Sequence, residues 1–476
     1  MDTPSEPFIF RLPNELLDRI IGETCSTLHD KPWENKCLSW NPQTPELVKF
    51  QASLCRVCRR FYPIAMQYLY ADLVVQTSLY DWSPGYAEHQ ERAERVPRRL
   101  HRSMKTNPAL WPLCRRLLVY YEDFTRPDDP GYVRRANPWA FLVTDYLAWF
   151  TGLRSLFFEG VAAEPAWRLV RLALENCPAL TELDLTSRSG YCLDLRKVVD
   201  LLSEAPCPQL RILGVNGISK KNGPLMSQKL QEKAGTALFT TLRTCSFLQT
   251  PSVLEDLVRW PKALNTIKIE HTFGQCYSKS GLHRTWSLAT LQPILAIHAS
   301  TLRRISVRCI NIGGLAGLDL RGFPNLEELK LSAQTTTNEF QDYTAGQKLL
   351  PNLLAPRLRL FYWDHTLEDQ QCEEQLRFFA QAEEDFLRAL ANAVFDAGLV
   401  CFREIRIQFT PHAYVYEPEE IYPWDRMDAV DREVRGRGVR VTYNKPTCTK
   451  EEFLKMQEAA REKARMRSLE RARREA

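Results

Sequence analysis

The clearest pattern along the chain is a six-residue phrase of the form apolar-x-x-apolar-x-apolar, which occurs ten times. Its last three residues alternate, so two apolar side chains lie on one face of an extended chain and the side chain between them lies on the other. Each phrase therefore predicts a short β-strand. The phrases are LRSLFF (153–158), LTELDL (180–185), LRILGV (210–215), LNTIKI (264–269), LRRISV (302–307) and LEELKL (326–331), with weaker copies CRRLLV (114–119), LRTCSF (242–247), LRLFYW (358–363) and FREIRI (402–407).

Amphipathic segments lie between many of these phrases and predict helices. In EPAWRLVRLALENC (164–177), the residues Trp167, Val170 and Leu174 are at helical spacing. A strand followed by a helix, repeated along the chain, indicates parallel strands joined by crossover connections. The other helix candidates are LRKVVDLLSEAP (195–206), SVLEDLVRW (252–260), SLATLQPILAIHA (287–299) and DFLRALANAVFDAG (385–398).

Over residues 109–443 the phrases resemble the leucine-rich repeat. Nine steps between Cys114 and Phe402 cover 288 residues, a mean of 32, with single steps of 22 to 44. Common repeats are about 20–29 residues long and place an Asn or Cys after the strand. Here that residue is mostly absent, and Ile218 and Ile310 stand in its place in two copies. The resemblance implies an irregular α/β solenoid with parallel strands. An ordinary doubly wound sheet is the alternative, which the many similar strands and the lack of a Gly-rich phosphate-binding turn disfavour.

The N-terminal segment FIFRLPNELLDRIIGE (8–23) predicts a short helix. A proline at position 13 is tolerated in the first turn of a helix, and the pairs Leu16–Leu17 and Ile20–Ile21 give it an apolar face. A second helical stretch, FQASLCRVCRRFYPIAMQYLYADLVV (50–75), has the core candidates Leu54, Val57, Cys58, Phe61, Ile64 and Leu69. So few helices cannot bury all of this apolar surface against one another, so the surplus must contact the repeats or another protein.

The same residues resemble the F-box, especially the form common in fungal proteins. A Leu-Pro step, Glu15, the Leu/Ile pairs, a Val-Cys-Arg-x-Phe core and a closing LYADL occur in order, although the connection at 25–49 is longer than usual. The resemblance implies docking to the small adaptor of a cullin-based SCF ubiquitin ligase, with Glu15 at the rim of the contact. The alternative role for several of these apolar residues, notably Leu17, Ile21 and Leu54, is to fill the core of the helical module. The positions expected at or under the contact are Leu12, Pro13, Leu16, Ile20, Val57, Cys58 and Phe61.

These observations divide the chain into four parts. An F-box-like helical module (8–75) is followed by a polar linker rich in Arg and Glu (76–108) and by the repeat array (109–443). The last part, 444–476, is dense in Glu, Ala, Lys and Arg, has many opposite charges three or four residues apart and almost no apolar stripe. A solvated helical tail is therefore expected.

Composition narrows the class of protein further. The 476 residues include 44% hydrophobic and 25% charged residues, typical of a folded protein, and the net charge of +5 gives no general reason to expect nucleic acid as a partner. The N-terminus lacks the features of a signal peptide, and the longest apolar run, WAFLVTDYLAWF (139–150), is short for a membrane span and contains Asp145. Fourteen dispersed cysteines favour a reducing compartment, cytoplasm or nucleus.

No motif in the sequence indicates catalysis, a metal site or a cofactor. Cys55 and Cys58 form C-x-x-C, but no second pair with ligand spacing follows, so two helix-core cysteines are the favoured interpretation. Phosphate-binding, nucleophile-elbow, zinc-protease and kinase motifs are absent from the sequence. An α/β enzyme with an unrecognised site is a disfavoured alternative.

The polar strand positions of the array predict an exposed binding face that is acidic in the early repeats and more basic after residue 266. One hypothesis is that the basic part binds an acidic or phosphorylated segment of a protein substrate. The alternative is mutual neutralisation, because Arg308 is expected in register with Glu270 of the neighbouring strand. The candidate substrate-binding residues are Lys268, Arg304, Arg308, Lys330, Tyr362 and Arg406.

Taken together, the sequence favours a non-catalytic substrate-recognition subunit of an SCF-type ubiquitin ligase. The N-terminal helices would bind the adaptor and, through it, the cullin scaffold, while the array would bind an unidentified protein substrate. A leucine-rich-repeat interaction scaffold outside a ligase is the main alternative. No cofactor, metal or membrane is expected among its partners.

Overall fold

The structure is a computed structural model, and its chain forms two compact units, residues 1–222 and 223–476. The residues it describes are 8–29, 45–76, 98–121, 140–161, 164–187, 193–205, 207–218, 224–247, 249–270, 286–308, 310, 314–336, 344–365, 379–409 and 421–475.

The first unit begins with helices and continues as alternating strands and helices. Its strands are parallel and neighbour one another in chain order, β1-β2-β3-β4-β5. The helices are α1 (Asn14–His29), α2 (Pro45–Leu54), α3 (Phe61–Ala71), α4 (98–106), α5 (Ala140–Trp149), α6 (Glu164–Asn176) and α7 (Leu195–Glu204), with 3₁₀ turns at Phe8–Arg11 and Pro108–Leu113. The strands are β1 (Asp72–Gln76), β2 (Arg116–Tyr120), β3 (Ser155–Glu159), β4 (Glu182–Thr186) and β5 (Ile212–Ile218).

The second unit has the same construction. Its parallel strands follow the order β6-β7-β8-β9-β10-β11-β12. They are β6 (Thr241–Phe247), β7 (Thr266–Glu270), β8 (Arg304–Arg308), β9 (Glu328–Ser332), β10 (Leu360–Asp364), β11 (Glu404–Gln408) and β12 (Arg440–Tyr443). The helices are α8 (Pro224–Glu232), α9 (Pro251–Arg259), α10 (Leu288–Ala296), α11 (Ala333–Thr336), α12 (Thr344–Gln347), α13 (Gln381–Asp396), α14 (Pro423–Val434) and α15 (Lys450–Glu475), with 3₁₀ turns at Leu350–Leu353 and Arg435–Arg437.

The predicted α/β class with parallel strands is confirmed, and within each unit the strands neighbour one another in chain order. Each of the ten phrases overlaps a strand, β2 to β11, and in nine of them the strand begins at the third residue of the phrase. The weak copy LRTCSF was aligned three residues too late, because the pairing of Leu242 with Ile267 makes 239–244 the equivalent phrase. Thr244, not an apolar residue, fills the last core position there and is buried. All five predicted helices are also present.

The polar segments outside the array have more structure than a linker requires. Residues 98–106 are helical, although they fall within the predicted linker 76–108, and residues 77–97 lie outside the described residues. The longer connection at 25–49 is described only at its two ends, in α1 and α2. The C-terminal tail carries the long helix α15, of which Phe453 is buried.

The core side of each strand is set by the phrase. In β10, the apolar residues Phe361 and Trp363 are buried, and the Trp363 ring lies 4.7 Å from that of Phe386 in α13. The intervening residue Tyr362 lies on the opposite face, because successive strand side chains alternate. Strand β5 has a glycine, Gly214, on its polar face for a steric reason. A Cβ on Gly214 of β5 would lie 2.1 Å from Oδ2 of Asp184, the neighbouring residue on β4.

Candidate functional site

Helices α1, α2 and α3 share a small apolar core. Its buried residues are Leu17, Ile21, Cys25, Leu47, Phe61 and Ile64, and its half-buried neighbours are Leu12, Phe50, Leu54, Cys58 and Tyr68. The helices are also joined by hydrogen bonds. Tyr68 of α3 donates from its hydroxyl to the backbone oxygen of Asp18 in α1 at 3.0 Å. Burial and the Asp18 carboxylate raise the pKa of Tyr68 to about 12, so the hydroxyl stays protonated and able to donate. The first two turns of α1 therefore have a fixed orientation on α3.

An apolar surface remains on the side of α1 that faces away from this core. Leu16 and Ile20 are one helical turn apart and are 46% and 44% exposed, whereas their neighbours Leu17 and Ile21 are buried. Val57, in the turn after α2, is 52% exposed. That turn is held near the start of α1 because Arg60 donates to the side chain of Asn14 at 2.7 Å and to the backbone oxygen of Leu12. We call Leu16, Ile20 and Val57 the N-terminal apolar surface.

The candidate adaptor-contact residues fall into three groups by exposure. Those that are exposed are Pro13, Glu15, Leu16, Ile20 and Val57, and those that are half-buried at the edge of the small core are Leu12 and Cys58. Phe61 is buried within that core. Val57 is also a predicted core residue of the second helical stretch, and that prediction is wrong because its side chain is exposed. Of the residues expected to fill the core, Leu17 and Ile21 are buried and Leu54 packs at the edge.

The C-x-x-C pair lacks the environment of a reactive or metal-binding site. Burial raises the pKa of the Cys55 thiol, which is the opposite of the shift that activates a cysteine. Cys58 contributes to the edge of the helical core. Among the described residues, no group of three or more His, Cys, Asp or Glu side chains is arranged to hold a metal ion. The described cysteines are free thiols.

In the second unit, charged residues are clustered on the face of the sheet opposite the core. Arg308 is 4% exposed and lies 3.3 Å from a carboxylate oxygen of Glu270 on β7 and 3.3 Å from one of Asp364 on β10. Lys268 and Lys330 contact the same two carboxylates at 2.9 and 3.2 Å. We call these five residues the charge cluster. Removing two carboxylates from water is costly, and three cations around them offset that cost.

The structure places the candidate substrate-binding residues in different environments. Arg304 is exposed and Arg406 is nearly half exposed, paired with Glu404 at 2.9 Å. Tyr362 is buried, its ring 4.1 Å from the Lys330 ammonium. Arg308 was expected to be exposed and is buried in the charge cluster; its predicted register with Glu270 is confirmed. The alternation of the phrase identified the face correctly but not the depth of each side chain.

Two features of this face were missed from the sequence. Arg243 of β6 pairs with Lys268 in the sheet, but the misaligned phrase at 242–247 assigned it the wrong position. Aligning the buried residues Phe239 and Leu242 with those of the next phrase would have placed it correctly. Asp364 directly follows the phrase LRLFYW (358–363), and nothing in the local pattern indicates that it pairs with Arg308 two strands away.

Comparison with known proteins gives no relative for this chain: no model of a known protein family matches the sequence, and neither does any curated protein. Along the described parts of the chain, no helix has both the length and the apolar character needed to cross a membrane. The functional interpretation therefore depends on the N-terminal apolar surface, on the polar face of the second unit and on the resemblances in the sequence.

Proposed function

We propose that this chain is the substrate-recognition subunit of an SCF-type ubiquitin ligase. Its N-terminal helices would dock to the SCF adaptor, and its strand-and-helix repeats would bind the protein to be ubiquitinated. In this function the chain carries out no covalent step. Its contribution to ubiquitin transfer would be proximity, because a bound substrate is held close to an activated ubiquitin that other subunits carry.

The observation that carries the proposal is the division of α1 into two apolar faces. Leu17 and Ile21 fill the small core, while Leu16 and Ile20 remain exposed, as does Val57 in the turn after α2. An exposed group of large aliphatic residues on short helices is typical of a protein-interaction surface. The occupant is inferred from the sequence, since these are the positions at which the resemblance to the F-box places the adaptor contact.

The proposal can be tested by co-purification from cells with the full chain carrying an affinity tag. We expect the SCF adaptor and a cullin to co-purify with the wild-type protein. A Leu16→Asp/Ile20→Asp variant should lose both, because a charged group cannot be buried in an apolar contact without a partner. The matched control Leu238→Asp/Val400→Asp alters exposed apolar residues of the second unit and should retain them.

The composition of the purified complex distinguishes the alternatives. Adaptor without cullin would favour an interaction scaffold that uses the F-box-like helices outside a ligase. Absence of both from the wild-type protein would refute adaptor docking. Equal loss in the control variant would mean that the Asp substitutions act through folding and not through the N-terminal apolar surface.

A further inference from the structure

A single row of side chains crosses all seven strands of the second unit on its polar face. The paired positions are Arg243, Lys268, Ser306, Lys330, Tyr362, Arg406 and Thr442, one from each strand from β6 to β12. Four of the seven are cations, three carry hydroxyl groups and none is a carboxylate. We call this the cationic row. It runs across the strands, so its members are separated by the strand spacing of about 4.8 Å.

The acidic residues of the same face lie in the rows on either side. Glu270 and Asp364 are one step towards the carboxyl ends of the strands, and Glu328 and Glu404 are one step towards the amino ends. The same two rows also contain arginines, at Arg304 and Arg308 of β8 and at Arg440 of β12, so both bordering rows carry charges of both signs, whereas the cationic row carries only positive charge. An anionic chain that lies along the cationic row therefore meets no like charge, whereas displacement to either side brings it next to carboxylates as well as arginines.

The centre of the row has more positive than negative charge. Glu270 and Asp364 are the two carboxylates of the charge cluster, and they are shared among Lys268, Arg308 and Lys330. Two negative charges therefore face three positive ones. Arg308 is buried between the carboxylates, whereas the Lys268 and Lys330 side chains are 22% and 18% exposed. The excess charge is accessible at the two lysines.

A serine hydroxyl lies between these lysines. Ser306 pairs with Lys268 on one side and with Lys330 on the other. Its Oγ atom is buried, and no hydrogen-bond partner for it is found among the described residues. The small uncharged side chain leaves both ammonium groups beside this position, so they would attract an anionic oxygen placed over it.

We propose that the cationic row binds an extended acidic peptide segment, with carboxylate or phosphate groups above Ser306 and along the row. The inference rests on the proposed function in one respect: that function makes the bound segment part of the substrate protein. Lys268, Lys330 and Arg406 are separated by about 9.6 Å, twice the strand spacing. An extended peptide advances about 3.3 Å per residue, so an acidic residue at every third position matches the row.

Nucleic acid fits this row less well than an acidic peptide. A single strand of DNA carries one charge per about 3.4 Å, roughly three times the density of cations along the centre of the row. The net charge of the whole chain, +5, adds little general attraction for a polyanion.

The test is a fluorescence-anisotropy titration of purified full-length chain, without adaptor, against labelled peptides. One peptide carries Glu at every third position, a second carries phosphoserine at those positions, and a third carries Gln. We expect the two acidic peptides to bind and the Gln peptide not to bind. Binding should weaken as salt is raised from 50 to 300 mM, because the contacts are between partly exposed charges. Preference between the acidic peptides identifies whether carboxylate or phosphate is the better ligand.

Two variants locate the binding site on the row. Lys268→Gln/Lys330→Gln removes the accessible charge, and Ser306→Asp places a carboxylate between the lysines that would neutralise their excess charge. Each should weaken acidic-peptide binding by about tenfold or more. The matched control is Arg171→Gln/Lys197→Gln, two exposed cations of the first unit that are also paired with carboxylates. It should bind as the wild type does.

Several outcomes would overturn the inference. They are equal binding of the Gln peptide, unchanged affinity of the Ser306→Asp variant, an equal loss in the control, or tighter binding of a single-stranded oligonucleotide than of either acidic peptide. Circular dichroism of each variant separates loss of binding from loss of folding. Because no adaptor is present, failure here leaves adaptor docking untouched, and failure of adaptor docking leaves these titrations valid.

Discussion

Replacing the N-terminal apolar surface with serine is the most direct quantitative test of adaptor docking. The variant Leu16→Ser/Ile20→Ser/Val57→Ser removes three aliphatic side chains that are between 44% and 52% exposed in the chain alone. Each of them can therefore bury only about half of its surface against a partner. The expected loss of affinity follows from that fraction.

Full burial of a Val, Leu or Ile side chain contributes about 1.5–3 kcal/mol. Half of this is about 0.7–1.5 kcal/mol for each residue, or about 2–4 kcal/mol for the three together. The adaptor dissociation constant should rise by about 30- to 1,000-fold. The free energy of unfolding should change by no more than about 0.5 kcal/mol per site, because each side chain lies on the surface.

Both quantities can be measured on purified proteins, by calorimetric titration with the SCF adaptor and by urea denaturation. The matched control is Leu238→Ser/Phe395→Ser/Val400→Ser, which removes three exposed apolar residues of the second unit and should leave adaptor affinity unchanged. An affinity within threefold of wild type for the N-terminal triple variant would refute the assignment of this surface. So would equal weakening in the control.

Three further predictions concern stability. Arg308→Met should lower the free energy of unfolding by about 3–5 kcal/mol in urea denaturation, because it removes the buried cation that Glu270 and Asp364 share. Arg304→Met, on the exposed end of the same strand, should cost no more than about 0.5 kcal/mol. Similar losses for the two variants would contradict the role of the cluster. Gly214→Ala should lower the free energy of unfolding by about 1–3 kcal/mol in thermal denaturation, because the added Cβ overlaps the Asp184 carboxylate on the neighbouring strand. An unchanged melting temperature would show that this carboxylate moves freely. Burial lowers the pKa of His298, so the folded state favours the neutral imidazole. The stability that the neutral imidazole contributes is complete above the ordinary pKa of 6.5. It falls as the pH drops below that value, by at most about 1.4 kcal/mol per pH unit. The variant His298→Asn should show a shallower loss of stability between pH 7 and pH 5, and an unchanged pH dependence would exclude this histidine as a source of the acid sensitivity.

The strands were predictable because the phrase repeats: in nearly all copies, its first, fourth and sixth residues are apolar and form the core side. Where that condition fails, so does the alignment: Thr244 at a core position moved the β6 phrase by three residues. The two strands that were missed have other causes. β1 lies in YADLVV (70–75), which fits the phrase but also forms the end of the F-box-like segment. The segment equivalent to the phrase in β12 begins with Gly438, which is not apolar like the first residue of the other copies.

The sites were less predictable than the strands, because exposure depends on neighbours that are distant in sequence. Alternation placed Arg308 and Arg304 correctly on the same face of β8, yet one is buried and the other exposed. The difference comes from Glu270 and Asp364, which lie 38 and 56 residues away in the chain. Similarly, adjacent residues in α1 separate into core and surface only once α3 is packed against that helix. Local periodicity contains no information about these contacts.

The two proposed binding surfaces differ in physical type, and this difference allows each to be tested in the presence of the other. Contacts of Leu16, Ile20 and Val57 depend on burial of apolar area, which salt in the physiological range changes little. Contacts of the cationic row depend on partly exposed charges, which are screened over about 8–10 Å at 0.1–0.15 M salt. An adaptor complex that survives a salt increase while an acidic segment is released would therefore assign the two partners to separate surfaces. Release of both at the same salt concentration would mean that the apolar surface does not supply the adaptor contact.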